Sequence, residues 1–270
     1  MMRRFPRSEG FATFHSLRRS HDGGQARIYR GERNGRSYAL KFAAGTSELS
    51  SVERLRWEAR IGILMRHRNL APVEELGMCE GIPYAACQWL DGVSLFDLVT
   101  RAGPAAPALG WDELAFVVSE LLSALDYVHR RELVHLDVSL ENVIISSDGT
   151  PKLLDFGIAA PAGPCGDAPY GKAPYLAPER LTGTQDGRSD QYSLGVMTAE
   201  LAGIDLSAAL ALPATNSAAA LTAMVVRMTQ HDPAARFEAC AEARRRLGAA
   251  VGWRALRRGR RAVRSRVLAA

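Results

Sequence analysis

The hydrophobic pattern changes along the chain from the alternation of strands to the spacing of helices, and this order constrains the fold most. Residues 26–31 and 37–42 flank Asn34-Gly35, a dipeptide that strongly favours a two-residue hairpin turn. A further strand is predicted at 82–89, and a helix is predicted at 52–65. These elements predict a small, β-rich first half that carries one helix.

The second half is predicted to be mainly helical. Short strands at 143–146 and 152–154 flank a turn-forming run, and the pattern after Glu179 is mostly helical. We therefore expect an α+β chain with two lobes joined near residues 88–92. Apolar residues also recur at helical spacing between 112 and 130, which predicts a long helix with a buried face: Leu114, Val117, Val118, Leu121, Leu122, Leu125 and Val128.

Length and composition agree with a folded chain that makes no disulfides. The 270 residues suffice for one domain of two lobes, and 47% hydrophobic with 23% charged residues is typical of globular proteins. The N-terminus lacks the apolar core of a secretory signal. Four cysteines without metal-like spacing favour a reducing, cytoplasmic environment; they are Cys79, Cys87, Cys165 and Cys240.

One uncharged run, residues 206–226, is long enough to be considered as a membrane span. Pro213 and the polar residues Thr215, Asn216 and Ser217 interrupt it. A buried helix pair joined by a loop is therefore expected there, with no transmembrane span.

Positive charge is concentrated in the C-terminal tail. The chain has a net charge of +5, and residues 248–270 contain seven Arg and no Lys, Asp or Glu, so the rest carries 5 − 7 = −2. The tail either forms a basic helix with one thin apolar side, suited to an anionic lipid surface, nucleic acid or an acidic protein, or is a disordered, solvated extension. We expect the second.

The strongest chemical signal is His135-x-Asp137-x4-Asn142, followed by Asp155-Phe156-Gly157 thirteen residues after Asn142. An acid, an amide and a second acid in this order are the groups that a magnesium-dependent phosphotransferase needs. An Asp-Phe-Gly tripeptide alone is a frequent turn sequence. At this distance from such an Asn, it indicates a site.

Two further segments extend the pattern, namely the strand 38–41, which ends in Lys41, and Tyr175-Leu176-Ala177-Pro178-Glu179. Over residues 14–247 the order of motifs resembles a protein kinase domain of the bacterial, eukaryotic-like Ser/Thr type. The resemblance implies a bilobal fold with a small N-lobe (14–87), a hinge (88–92) and a mostly helical C-lobe (93–247), before the tail at 248–270. It also implies ATP and Mg²⁺ as cofactors and a protein substrate.

The resemblance assigns roles to five residues. Asp137 would accept the proton of the attacking hydroxyl, and Asn142 and Asp155 would bind magnesium. Lys41 would contact the α- and β-phosphates with Glu58 as its partner. Taken alone, Lys41 and Glu58 would more commonly be solvated surface residues.

The adenine would meet backbone groups near Gln88 and Leu90, and Ile28 and Ala39 would cover it. These positions follow from the same resemblance, since residues 88–90 stand where the family has its hinge.

The glycine-rich loop departs from the family pattern. Of its three glycine positions only the middle one, Gly23, is kept; His21 and Ala26 occupy the others, and Gly24 adds flexibility. The segment predicts a weaker or shifted hold on the ATP phosphates. Without the other motifs it would be interpreted as a hairpin turn.

Two departures concern the catalytic loop. Leu136 replaces the arginine that receives a phosphorylated residue, and residues 158–178 contain no Ser or Thr, so we expect no switching by Ser/Thr phosphorylation of this segment. Ser139 replaces a catalytic lysine, whereas Lys172 stands where the family has threonine. We hypothesise that the ammonium and the hydroxyl have exchanged sites; the alternative is an exposed Lys172 and a crippled enzyme.

Three functions remain open. The first is an active Ser/Thr protein kinase. The second is a pseudokinase that binds nucleotide or a partner without turnover, suggested by the changes in the glycine-rich and catalytic loops. A small-molecule kinase is disfavoured, because the family implies an ion pair between Glu179 and Arg236 and a loop-holding Asp190 that such kinases lack.

Overall fold

The chain divides into two compact units at Trp89–Leu90, within the segment predicted to join the lobes. The first unit runs to Arg66 and resumes from Ala71 to Trp89; the second contains residues 67–70 and continues from Leu90. The computed structural model describes residues 14–22, 26–43, 49–79, 81–103, 107–165, 171–206 and 216–269.

Within its described residues, the first unit is a five-stranded antiparallel sheet with one helix. Its elements are β1 (His15–Asp22), β2 (Ala26–Arg33), β3 (Arg36–Ala43), α1 (Leu49–Leu64), β4 (Val73–Cys79) and β5 (Ile82–Gln88), and the strand order is β1-β2-β3-β5-β4. The turn between β2 and β3 places Asn34 and Gly35 at positive φ (52° and 72°), which confirms the predicted hairpin.

The alternation of β3 sorts its side chains onto the two faces of this sheet. Leu40, fully buried, lies in an aromatic cluster with Phe42 and Tyr84. The opposite face packs under α1, whose Leu55 lies in a second apolar cluster. Residues 39, 41 and 43 of β3 therefore share the face that α1 covers.

The second unit is mostly helical, so the predicted α+β organisation, with one helix in the β-rich part, is confirmed. Its helices are α2 (Leu95–Ala102), α3 (Trp111–His129), α4 (Gly187–Ala202), α5 (Asn216–Met228), α6 (Cys240–Val251) and α7 (Trp253–Ala269). Its short strands are β6 (Gly92–Ser94), β7 (Leu133–Val134), β8 (Val143–Ser146), β9 (Pro151–Leu153), β10 (Ala160–Pro161), β11 (Gly163–Pro164) and β12 (Thr184–Gln185).

Helix α3 is the centre of the second unit. Its predicted apolar residues are fully buried, including Leu114, Leu121 and Leu125, and it packs against α4, α5, α6 and α7. Burying so many large side chains, each contributing about 1.5–3 kcal/mol, gives the catalytic segments a rigid base.

Helix α5 forms the second part of the predicted helix pair at 206–226, whereas residues 207–215 lie outside the described ones. Within the described ranges, no helix has the length and apolar content needed to cross a bilayer.

The expectation that residues 248–270 form a disordered, solvated extension was wrong, because α7 packs along α3. Its thin apolar side consists of small residues at a spacing of four, which lets the two backbones approach closely: Ala255, Gly259, Val263 and Val267 are all buried. A Cβ on Gly259 would stand only 1.9 Å from the main-chain oxygen of Asp112.

Candidate active site

Lys41 and Glu58 meet within the first unit. The Nζ of Lys41 lies 2.8 Å from Oε1 and 2.7 Å from Oε2 of Glu58, and both residues are largely buried. Lys41 is held by β3, opposite Ile28 on β2 and Ala85 on β5, so its backbone is fixed from both sides. The pair therefore presents a rigidly placed cation.

Three of the four predicted adenine contacts fall on strands, whereas Leu90 follows β5 and lies in no strand. Ala39 and Ile28 lie on β3 and β2 and are half-buried. Gln88 ends β5, and its N–H already donates to Pro72 O. Any contact that Gln88 makes with adenine must therefore use its carbonyl, and Leu90 belongs to the second unit. Gly23 and Gly24 lie outside the described residues.

Asp137 and Asn142 are joined directly in the second unit. The Nδ2 group of Asn142 donates to Asp137 Oδ2 at 2.7 Å and to its main-chain oxygen at 2.8 Å. Because Nδ2 makes both bonds, the amide is oriented with its oxygen turned away from Asp137. This pair fixes the carboxylate and leaves the Asn142 Oδ1 as the atom suited to a metal ion.

Asp155 is held close to that loop by its neighbours. Leu154 N–H donates to Asn142 O (2.8 Å), and Gly157 N–H donates to Asp155 Oδ1 (2.8 Å). Asp155 has φ of 66°, a left-handed conformation that non-glycine residues adopt rarely and mostly at functional sites. The backbone around Asp155 thus determines where its carboxylate points.

The donor set fits Mg²⁺. This ion prefers oxygen ligands and is usually bound by one or two carboxylates together with substrate phosphates. Asn142 and Asp155 provide an amide oxygen and a carboxylate, and Lys41 provides a cation of the kind that phosphates require. Taken by itself, each unit therefore carries residues that fit the group the resemblance assigns to it, a phosphate for Lys41 and a divalent metal ion for Asn142 and Asp155.

Asp190 on α4 holds the backbone of the catalytic loop, residues 135–142, through hydrogen bonds. Its carboxylate accepts the N–H groups of His135 (2.8 Å) and Leu136 (2.7 Å), as predicted. His129, at the end of α3, bonds the same carboxylate at 2.7 Å. Although burial alone would raise it, His129 keeps the pKa of Asp190 below its ordinary value of 3.8. A buried anion therefore holds the backbone of this loop in place.

His129 completes this support and was missed by the sequence analysis. Burial opposes its protonation, but the hydrogen bond and negative charge of the Asp190 carboxylate raise the pKa of His129 above its ordinary value of 6.5. A histidine at the end of a helix carries no sequence signal for this role, since its partner lies 61 residues away.

Lys172 reaches the serine that replaces the catalytic lysine. Its Nζ donates to Ser139 Oγ at 2.9 Å and to Glu141 Oε2 at 3.0 Å. Ser139 is fully buried, whereas Lys172 and Glu141 are partly exposed. Burial tends to raise the pKa of Glu141, but its own backbone N–H and Lys172 lower it below 4.5. The ammonium thus lies beside the catalytic loop, and Glu141 is a partner that the sequence analysis missed.

Arg180 was also missed. It is buried, its Nη1 lies 3.4 Å from Leu136 O, and its Nε has no hydrogen-bond partner among the described residues. Burial lowers the pKa of Arg180, which remains a cation. A buried guanidinium therefore lies next to the main-chain carbonyl of Leu136.

The predicted ion pair between Glu179 and Arg236 is confirmed. Both guanidinium Nη atoms lie 2.8 Å from the Glu179 oxygens, and Ser189 Oγ donates to Oε1 at 2.8 Å. The side chain of Arg236 is fully buried. Bidentate, charge-assisted bonds of this kind fix the segment that ends at Glu179.

Comparison with known proteins identifies the pattern. A family model described as a protein kinase domain matches residues 18–240. The chain is 36% identical over 190 residues to the serine/threonine-protein kinase PknL of Mycobacterium tuberculosis, covering 66% of this chain and 46% of that protein. It is 30% identical over 189 residues to the probable serine/threonine-protein kinase PknB of Lactococcus lactis, covering 66% of this chain and 30% of that protein.

A third relative, the serine/threonine-protein kinase PknB of Mycolicibacterium smegmatis, is 34% identical over 159 residues, covering 55% of this chain and 25% of that protein. The chain thus spans between a quarter and a half of the length of these relatives.

Proposed function

Since this chain belongs to the protein kinase domain family, we propose that it transfers the γ-phosphate of Mg-ATP to a serine or threonine hydroxyl of a protein. The observation that carries this proposal is the Asp137–Asn142 pair, bonded at 2.7 Å on the loop that Asp190 suspends. The bacterial Ser/Thr kinases among the relatives support the same reaction.

Each residue has one task in this reaction. Asp137 orients the attacking hydroxyl and accepts its proton, while Asn142 and Asp155 supply oxygen ligands. Lys41, steadied by Glu58, contacts the α- and β-phosphates. A bound Mg²⁺ supplies charge neutralisation of the phosphates. The chain itself therefore contributes mainly positioning and electrostatics.

Lys172 supplies the charge that Ser139 lacks. The Ser139 hydroxyl accepts from the ammonium at 2.9 Å, so Lys172 is well placed to stabilise the γ-phosphoryl group from the other side of the loop. During transfer it would leave Glu141, a partly exposed and therefore weak partner.

The adenine is bound by backbone and apolar contacts. Gln88 accepts through its carbonyl, Leu90 donates through its N–H, and Ile28 and Ala39 cover the ring. Gly23 and Gly24, outside the described residues, are the proposed phosphate contacts, with His21 and Ala26 at the positions where the family has glycine.

Activity is not switched by Ser/Thr phosphorylation of residues 158–178. The segment offers no such hydroxyl, and Leu136 offers no cation to receive a phosphate. Treating the purified protein with a Ser/Thr phosphatase is expected to leave its rate unchanged. A loss of rate that is restored on incubation with ATP would show that phosphorylation of a Ser or Thr outside 158–178 switches the protein.

The environment proposed is the cytoplasm, where ATP and reduced thiols are found. None of the four cysteines, all of them within the described residues, forms a disulfide. A protein substrate and an anionic partner for residues 248–270 complete the proposal.

The deciding experiment measures transfer of radiolabelled phosphate from ATP to the protein itself and to a generic protein acceptor. Wild type is compared with Asp137→Asn and with the control Asp97→Asn, a surface carboxylate on α2. Label is expected on wild type and on the control only. Wild-type labelling no higher than that of Asp137→Asn would establish the alternative, a pseudokinase.

A further inference from the structure

Two of the seven arginines of α7 attach the helix to α3. Arg258 Nε lies 2.9 Å from Asp112 Oδ2, and Arg266 donates to both oxygens of Glu113 at 2.8 and 3.0 Å. The other five have no carboxylate partner among the described residues. We call them the arginine face: Arg254, Arg257, Arg260, Arg261 and Arg264.

Four of these arginines surround one recess. Positions 257, 260, 261 and 264 follow the i, i+3, i+4, i+7 spacing of a single helix side, and with Asp148 they line a recess of about 310 Å³. Asp148 pairs with none of them, because its oxygens accept from Thr150 N, Thr150 Oγ1 and Ser146 Oγ within its own turn. Its lowered pKa keeps it ionised, yet four cations still face one anion.

The position of α7 is fixed on its other side as well. A Cβ on Gly149, in the turn between β8 and β9, would stand 2.8 Å from the Cβ of Arg264. The helix is thus fixed against both α3 and this turn, so the arginine face is preorganised rather than a mobile tail.

Large apolar side chains stand at both ends of the arginine face. Trp253 is 62% exposed and Leu268 is 66% exposed. At about 100° per residue both fall on the same side of α7 as Arg257 and Arg264, and the 17-residue helix separates them by about 22 Å. Arg254 and Arg257 also stack on the Trp253 ring, at 5.5 and 5.0 Å.

We infer that the arginine face binds an anionic phospholipid surface, with α7 lying parallel to it. Guanidinium groups match phosphate headgroups through paired hydrogen bonds, and tryptophan prefers the membrane–water interface. A nucleic acid would use the arginines but would give Leu268 no apolar environment. Because the apolar stripe of α7 is already buried against α3, attachment is mainly electrostatic, with Trp253 and Leu268 as the inserting ends.

The test uses the full chain and vesicles of phosphatidylcholine with about 30 mol % phosphatidylglycerol, measured by sedimentation. Wild type is expected to bind them at low salt, to be released at about 0.5 M salt, and not to bind pure phosphatidylcholine. Replacing arginines 257, 260, 261 and 264 together by Gln is expected to weaken binding by about 600-fold, since each contributes about fivefold.

The matched control replaces four exposed arginines elsewhere by Gln, at positions 36, 56, 60 and 245, which changes the net charge equally. It is expected to bind like wild type, and Leu268→Ser is expected to weaken vesicle binding but not binding of single-stranded RNA. Three results would each overturn the inference. The first is an equal loss of vesicle binding in the control and in the quadruple variant, and the second is no vesicle binding by wild type at low salt. The third is RNA binding by wild type together with vesicle binding that the quadruple change leaves unaltered. Equal thermal unfolding of both variants verifies folding.

Discussion

At the scale of single residues, the buried carboxylate of Asp190 determines the backbone conformation of the catalytic loop. Leu136 is held at φ 68° while its N–H donates to Asp190 and its carbonyl faces Arg180. Leu136 is buried, and an arginine there would add a second cation to a loop whose carbonyl the buried Arg180 already contacts. Leucine at this position therefore agrees with the local charge as well as with a segment that lacks Ser and Thr.

Lys172→Ala is expected to lower kcat by about 10²–10³, because one preorganised charge that acts on the transition state is lost. The KM for ATP should change little. Lys152→Ala, on β9, serves as the control and should retain activity. The double change Ser139→Lys with Lys172→Thr should recover much of the rate. Unchanged transfer by Lys172→Ala would exclude the exchanged-site hypothesis.

The lowered pKa of Glu179 predicts that the fold loses stability in acid. Burial tends to raise its pKa, but the bonds from Arg236, its own backbone and Ser189 lower it below 4.5. The unfolded chain therefore takes up this proton first, so the contribution of Glu179 is complete above pH 4.5 and is lost as the pH falls through the lower folded value.

The free energy of unfolding, measured with urea, should fall less between pH 7 and pH 4 for Glu179→Gln than for wild type. At pH 7 the variant should be the less stable of the two. Glu132→Gln, an exposed change, should follow wild type. An identical acid loss in Glu179→Gln and wild type would show that other carboxylates account for it.

At the scale of elements, α7 depends on one glycine for its close contact with α3. Gly259→Ala places a Cβ 1.9 Å from Asp112 O, and backbone on both sides cannot yield cheaply. It is expected to destabilise the fold by about 1–3 kcal/mol.

Gly248→Ala in α6 is the matched control, since nothing lies within 4 Å of its Cβ. A gain of about 1 kcal/mol is expected there, because alanine favours a helix over glycine. Chemical denaturation compares the two. A stable Gly259→Ala protein would indicate that α7 is not held against α3 as described.

Nucleotide binding is a property of the whole molecule and can be measured by its stability. Mg-ATP at about 100 times its Kd should stabilise the fold by about 2.7 kcal/mol, which raises Tm by roughly 5–10 °C. Asp155→Asn should lose the part that depends on Mg²⁺, whereas Asp97→Asn should retain it. A Tm insensitive to ATP, with and without Mg²⁺, would contradict the proposed cofactor.

Local sequence determined the elements and the order of the motifs. The hairpin at Asn34-Gly35 and the buried face of α3 depend on conformational preference and periodicity, which neighbouring residues fix by themselves. The motif spacings likewise predicted Asp137, Asn142 and Asp155 as one group.

Only the tertiary structure decided which residues that are distant in the sequence contact one another. His129 contacts Asp190, Lys172 contacts Glu141, and α7 packs on α3, although each pair is separated by tens of residues or more and no local preference encodes these contacts. The small residues of α7 show as much. Within the sequence they form a stripe too thin to predict a docked helix, and it is the matching surface of α3, with its two carboxylates, that makes the packing favourable.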